Sequence, residues 1–118
     1  MSIPSHLSIP EISVEALAER LAEPIDSLQL LDVREPQEVA IAQLREFENL
    51  PLSDFSVWSV QIDRHLNPQQ ETIVLCHHGI RSAQVCRWLL QQGFANVKNV
   101  AGGIHAYAVK VDPTVPCY

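Results

Sequence analysis

The sequence predicts an α/β domain with a mostly parallel central sheet, and three observations carry that prediction. Short apolar runs of strand length alternate with stretches of helical periodicity along the chain. The clearest of these runs, Thr72 to Leu75, feeds directly into a loop and then a helix. A length of 118 residues with 47% hydrophobic and 19% charged residues suits one ordinary globular domain. No internal repeat, low-complexity stretch or long linker divides it. Residues 1–10, with Pro4 and Pro10, read as an N-terminal arm and 11–118 as a single domain.

The elements follow in order. Ser13 before Val14-Glu15-Ala16 is a helix N-cap with an acidic first turn. Leu17 and Leu21 continue that helix, which stops near Pro24. Leu28 to Val33 is an apolar run ending in charge, so it reads as a buried strand with a polar carboxyl end. Glu35-Pro36 opens a helix to about Ala42, with proline in its first turn. Arg45 to Ser53 is irregular apart from Leu50-Pro51-Leu52. A further helix is expected over Ser56 to His65, with Val57, Val60 and Gln61 on one face. Asn67-Pro68 is a turn. Thr72 to Leu75 is a strand, and Ser82 to Gln92 a helix with Val85, Trp88, Leu89 and Phe94 toward the core. Gly93 stops it. Val97 to Val100 is a strand, Gly102-Gly103 a tight turn, and Ile104 to about Val109 a last helix.

Bulk properties narrow the function. A net charge of -6 argues against nucleic acid as a general partner, because phosphate backbones call for clustered Lys and Arg. No apolar run approaches the ~20 residues that span a bilayer, so no membrane contact is expected. The N-terminus shows no signal-peptide pattern, which makes a reducing cytoplasm the expected location. Three widely spaced cysteines, Cys76, Cys86 and Cys117, make a poor disulfide framework. A monomer is expected.

The chemistry concentrates in Thr72 to Ser82. Cys76 ends a strand, where ligands of open parallel sheets bind. His77-His78-Gly79-Ile80-Arg81 then curls into a helix N-terminus, whose amides lack intrahelical partners. Gly79 permits the sharp turn. Positive dipole ends, Arg81 and a protonated His77 or His78 would lower the thiol pKa and make Cys76 a nucleophile. The same cradle would stabilise a persulfide anion. Cys86 is expected in the core, Cys117 as an exposed bystander, Trp88 as core, and Asp32 with Arg34 as a structural ion pair. Two adjacent histidines beside a cysteine raise the question of a metal. Neighbouring side chains rarely converge on one ion without further ligands, so no metal is expected.

Four segments in order give the chain a resemblance to the rhodanese family. Leu31-Asp32-Val33-Arg34-Glu35-Pro36 with Glu38 resembles that family's LDVR segment, and Ile12 to Leu21 its opening strand and helix. Cys76-His77-His78-Gly79-Ile80-Arg81-Ser82 is similar to its CxxGxRS active loop. Ala101-Gly102-Gly103-Ile104 with Ala106 and Tyr107 resembles its closing signature. Ala42 to Phe47 departs from the family's usual Gly-His-Ile-Pro-Gly-Ala, which puts the local loop geometry in doubt.

The resemblance implies a rhodanese-like fold with helices on both sheet faces. It implies a sulfurtransferase in which Cys76 takes sulfane sulfur from a thiosulfate-like anion and passes it to cyanide, a thiol or an acceptor protein. No cofactor is implied. The amides of His77 to Ser82 would hold the outer sulfur, Arg81 would assist the anionic donor, and Asp32 and Arg34 would support the strand end. The run Val111 to Pro116 resembles rhodanese domains of sulfur-carrier activating enzymes and suggests a partner protein. Other readings are a non-catalytic docking module and a cysteine-dependent phosphatase or arsenate reductase. The latter have a loop one residue longer than the four residues between Cys76 and Arg81.

Overall fold

A computed structural model describes residues 9–24 and 26–118. Among these residues five strands form one sheet: β1 (Glu11–Ile12), β2 (Leu28–Asp32), β3 (Glu48–Asn49), β4 (Glu71–Leu75) and β5 (Val97–Val100). Their spatial order is β1-β5-β4-β2-β3, and every pairing is parallel. The strand β4 is central, and its register with β2 sets Asp32 opposite Leu75. Cys76, the next residue, is therefore placed at the carboxyl edge between two neighbours. Residues 1–8 of the expected arm lie outside the described residues. Ile9 packs against the core, and the Pro10 carbonyl accepts from the Asn99 amide.

Among the described residues, six α-helical segments surround the sheet: α1 (Val14–Leu21), α2 (Pro36–Ile41), α3 (Phe55–Trp58), α4 (Ile62–His65), α5 (Ile80–Gln91) and α6 (Gly103–Lys110). The two-residue alternation of β4 sorts the core into halves. Ile73 and Leu75 join Leu17 of α1 and Ile104 and Ala108 of α6. Val74 and Cys76 join Trp58 of α3 and Val85, Cys86 and Leu89 of α5. Helices thus cover both faces, as the sequence predicts.

Most local signals act as read. The Ser13 hydroxyl accepts from the Ala16 amide and starts α1. Pro36 occupies the first turn of α2, and the Glu38 carboxylate reaches back to the Glu35 amide. The expectation over Ser56 to His65 needs correction. The segment is two single-turn helices joined by a 3-10 turn at Ser59–Gln61, and its buried face is a different one. Val57 and Val60 are 66% and 78% exposed. Phe55, Trp58, Ile62 and Leu66 pack inward instead. Their spacing is equally helical, and the larger aromatic surfaces win the core. Trp88 is half-buried and meets Phe55 and Trp58 edge-on at 5.0 and 6.1 Å.

Candidate active site

The loop from Cys76 to Gly79 returns the chain onto its own strand end. Gly79 adopts a left-handed φ of 96° and its amide donates to the Cys76 Sγ at 3.1 Å. From there α5 begins, and its first amides, those of Ile80, Arg81 and Ser82, have no partner within the helix. The Ser82 hydroxyl lies 3.1 Å from the same sulfur. Cys76 itself is 1% exposed. The Cys76 sulfur is therefore met by one group of the loop, the Gly79 amide, and one from the first turn of α5, the Ser82 hydroxyl.

Ser82 also contacts the Asn99 side-chain oxygen. The Asn99 amide nitrogen donates to the Gly79 carbonyl at 2.9 Å and to Glu11 at 3.3 Å, which fixes the amide's orientation. Its carbonyl must then face Ser82. The serine has one hydroxyl proton. With a thiol at Cys76, that proton goes to Asn99 and the serine oxygen accepts from sulfur. With a sulfur anion, the hydroxyl turns to donate to sulfur. One side chain serves both states. Asn99 carries no motif, but it follows Val97 by two residues, and strand alternation turns it toward α5.

Asp32 and Arg34 form a buried ion pair behind this loop. The Arg34 guanidinium donates to both Asp32 oxygens, at 2.8 Å for the shorter Nη2 bond. Its remaining donors reach the carbonyls of Ala42 and Glu38 and the Tyr118 hydroxyl. Burial alone would lower the Arg34 pKa, but the hydrogen bonds to Asp32 and Tyr118 raise it overall. The pair closes the carboxyl end of β2. It also pins the Ala42 segment, where the family's glycines are missing.

Arg81 pairs with Glu38 of α2. Its guanidinium holds the Glu38 carboxylate with two bonds of 2.8 and 2.9 Å. That pairing sets the Glu38 pKa at about 2, with burial opposing and the Tyr118 hydroxyl adding to it. Among the described residues, Arg81 keeps three N–H donors free for an anion. Burial, then the neighbouring His78, lowers the His77 pKa. Its ring stacks on Tyr118 at 3.8 Å.

The closing glycines account for the position of α6. The Ile104 and His105 amides donate to the carbonyls of Cys76 and His77 at 2.9 and 3.1 Å. A Cβ on Gly103 would overlap both carbonyl oxygens, so only glycine lets α6 dock against the active loop. This contact brings His105 to the loop, a position with no signal of its own in the sequence. Ile80 is exposed at the rim. Cys86 is fully buried, and burial, then the Cys76 charge, pushes its thiol up to about 12. Cys117 is exposed.

The comparisons agree with this geometry. A profile of the Rhodanese-like domain matches residues 13–110. The chain is 47% identical over 112 residues to the Rhodanese-like/PpiC domain-containing protein 12, chloroplastic, of Arabidopsis thaliana, covering 93% of this chain but 38% of that protein. It is 35% identical over 100 residues to a Sulfurtransferase of Allochromatium vinosum, covering 85% of this chain and 89% of that one. It is 33% identical over 102 residues to the Adenylyltransferase and sulfurtransferase MOCS3-2 of Zea mays, covering 84% of this chain and 21% of that one. The crystal structure of a rhodanese-related protein from Thermoplasma volcanium superposes with a TM-score of 0.70 at 29% identity, over 86% of this chain and 93% of that one. With the parallel sheet, the Cys76 loop and the docked glycine turn in place, the chain belongs to the Rhodanese-like domain family.

Proposed function

We propose that this chain is a sulfurtransferase that carries sulfane sulfur as a persulfide on Cys76. The observation that carries the proposal is the convergence of the Gly79 amide and the Ser82 hydroxyl on the Cys76 sulfur, each at 3.1 Å. Relatedness over nearly its whole length to a protein named a sulfurtransferase supports a sulfur-transfer role. In the loading step the Cys76 thiolate attacks the outer sulfur of a thiosulfate-like donor. The donor's S–S bond breaks, sulfite leaves with the electron pair, and Cys76 bears a terminal S–S anion. In the second step a thiophilic acceptor attacks that outer sulfur and the Cys76 thiolate departs. No external oxidant or reductant enters.

The loop's own residues carry both steps. The unpartnered amides of Ile80, Arg81 and Ser82, at the positive end of α5, favour the terminal anion. Ser82 donates to whichever sulfur is charged. The free donors of Arg81 meet the departing oxyanion. Only four residues separate Cys76 from Arg81, which favours a single sulfur over a tetrahedral phosphate. The tail from Val111 to Pro116 and the kinship with a protein named adenylyltransferase and sulfurtransferase support a sulfur-carrier protein as acceptor. We place the chain as a monomer in a reducing compartment. The test is thiocyanate formation from thiosulfate and cyanide. Wild type is expected to turn over and Cys76→Ser to show none. Equal turnover by both, or a preference for aryl phosphate, would overturn the proposal.

A further inference from the structure

Three histidines meet beside the active loop. His77 and His78 come from the loop and His105 from α6, and one ring nitrogen of each lies within 4.8 Å of the others. The His77 and His78 ring centroids lie 3.9 Å apart with the planes tilted by 33°, and the His78 and His105 centroids lie 5.1 Å apart. Two buried ring atoms here, His77 Nε2 and His105 Nδ1, have no hydrogen-bond partner among the described residues. A buried polar atom without a partner is costly, and a bound ion is one way to satisfy it. The cluster is braced from outside: the Tyr118 ring lies flat on His77, and the His105 amide is tied to the His77 carbonyl. His78 is exposed.

Two adjacent histidines give no reason to expect a metal, because they lack a third ligand. The docking of α6 supplies it. We propose that His77, His78 and His105 bind one divalent transition metal of the zinc type through their imidazole nitrogens. Three neutral imidazoles suit such borderline ions far better than Mg²⁺ or Ca²⁺. Three protein ligands also leave a coordination position open. The proposal rests on the histidine geometry and not on the sulfur-transfer reading, so either can fail alone.

The test is calorimetric titration of the reduced full chain with Zn²⁺ alone. Wild type is expected to take up one equivalent. His78→Ala, which changes an exposed side chain, and His105→Gln should each weaken binding by more than about tenfold. Cys76→Ser and Cys117→Ser should leave it unchanged. The proposal is overturned if wild type takes up no Zn²⁺ at about 100 µM. It is equally overturned if His78→Ala and His105→Gln bind as wild type does, or if binding disappears with either cysteine.

Discussion

Ser82 has one hydroxyl proton and two neighbours able to accept it, the Cys76 sulfur and the Asn99 carbonyl. That arrangement lets the serine follow the charge on sulfur without any backbone movement. Removing the hydroxyl should slow the chemistry more than it disturbs the fold. Ser82→Ala is expected to lower kcat/KM for thiosulfate by about a hundredfold, as loss of one preorganised donor does. The buried Asn99 oxygen left behind should cost about 1–2 kcal/mol of stability. Steady-state kinetics alongside urea unfolding separates the two effects, and a rate unchanged within twofold would deny Ser82 its role. Cys76, Arg81 and Ser82 are legible in the sequence because the loop spacing fixes them. Asn99, Glu38 and Tyr118 reach the site through tertiary contacts 17 to 84 residues apart along the chain, which no local pattern encodes.

The elements show the same division between local and distant information. Caps, proline positions and strand runs place α1, α2, β2, β4, α5 and β5 within a residue or two of their observed ends. Between Phe55 and Leu66 the helical period is present but its phase is ambiguous. Two faces have equivalent spacing, and the larger aromatic surfaces decide for the face of Phe55, Trp58, Ile62 and Leu66. The Gly102-Gly103 turn is readable as a turn, but its purpose lies in the contact it allows. Gly103 has a φ of 65°, and a Cβ there would strike the Cys76 and His77 carbonyls. Gly103→Ala is therefore expected to destabilise the protein by about 2–3 kcal/mol, since it combines strain with displacement of α6. Thermal unfolding measures it. A change below about 0.5 kcal/mol would mean that α6 does not brace the loop.

Across the whole molecule, charge is managed at the two ends of the sheet separately. At the end away from Cys76, the Glu71 carboxylate joins Arg20 of α1 at 2.6 Å and Lys98 of β5 at 2.7 Å. The Arg20 hydrogen bond foremost, against the opposing effect of burial and with the help of Lys98, holds its pKa at about 2. A folded pKa below the unfolded one, near 4.5, gives stability that is present in full above pH 4.5. It fades as the pH falls toward about 2. Allowing for solvent around Arg20, Glu71 should contribute about 1–2 kcal/mol. Urea midpoints at neutral pH and near pH 3 should converge more closely in Glu71→Gln than in wild type. An equal acid loss in both proteins would assign the effect elsewhere. Because this network stands apart from the loop, Glu71→Gln should transfer sulfur normally at neutral pH. The most direct measurement of sulfur carriage weighs the intact chain. The protein is incubated with thiosulfate, desalted and weighed under non-reducing conditions beside Cys76→Ser. A gain of roughly 32 Da in wild type alone is the expected result. A gain of equal size in Cys76→Ser would contradict the assignment of Cys76. The absence of any gain, even from persulfide generated by a cysteine desulfurase, would contradict sulfur carriage altogether.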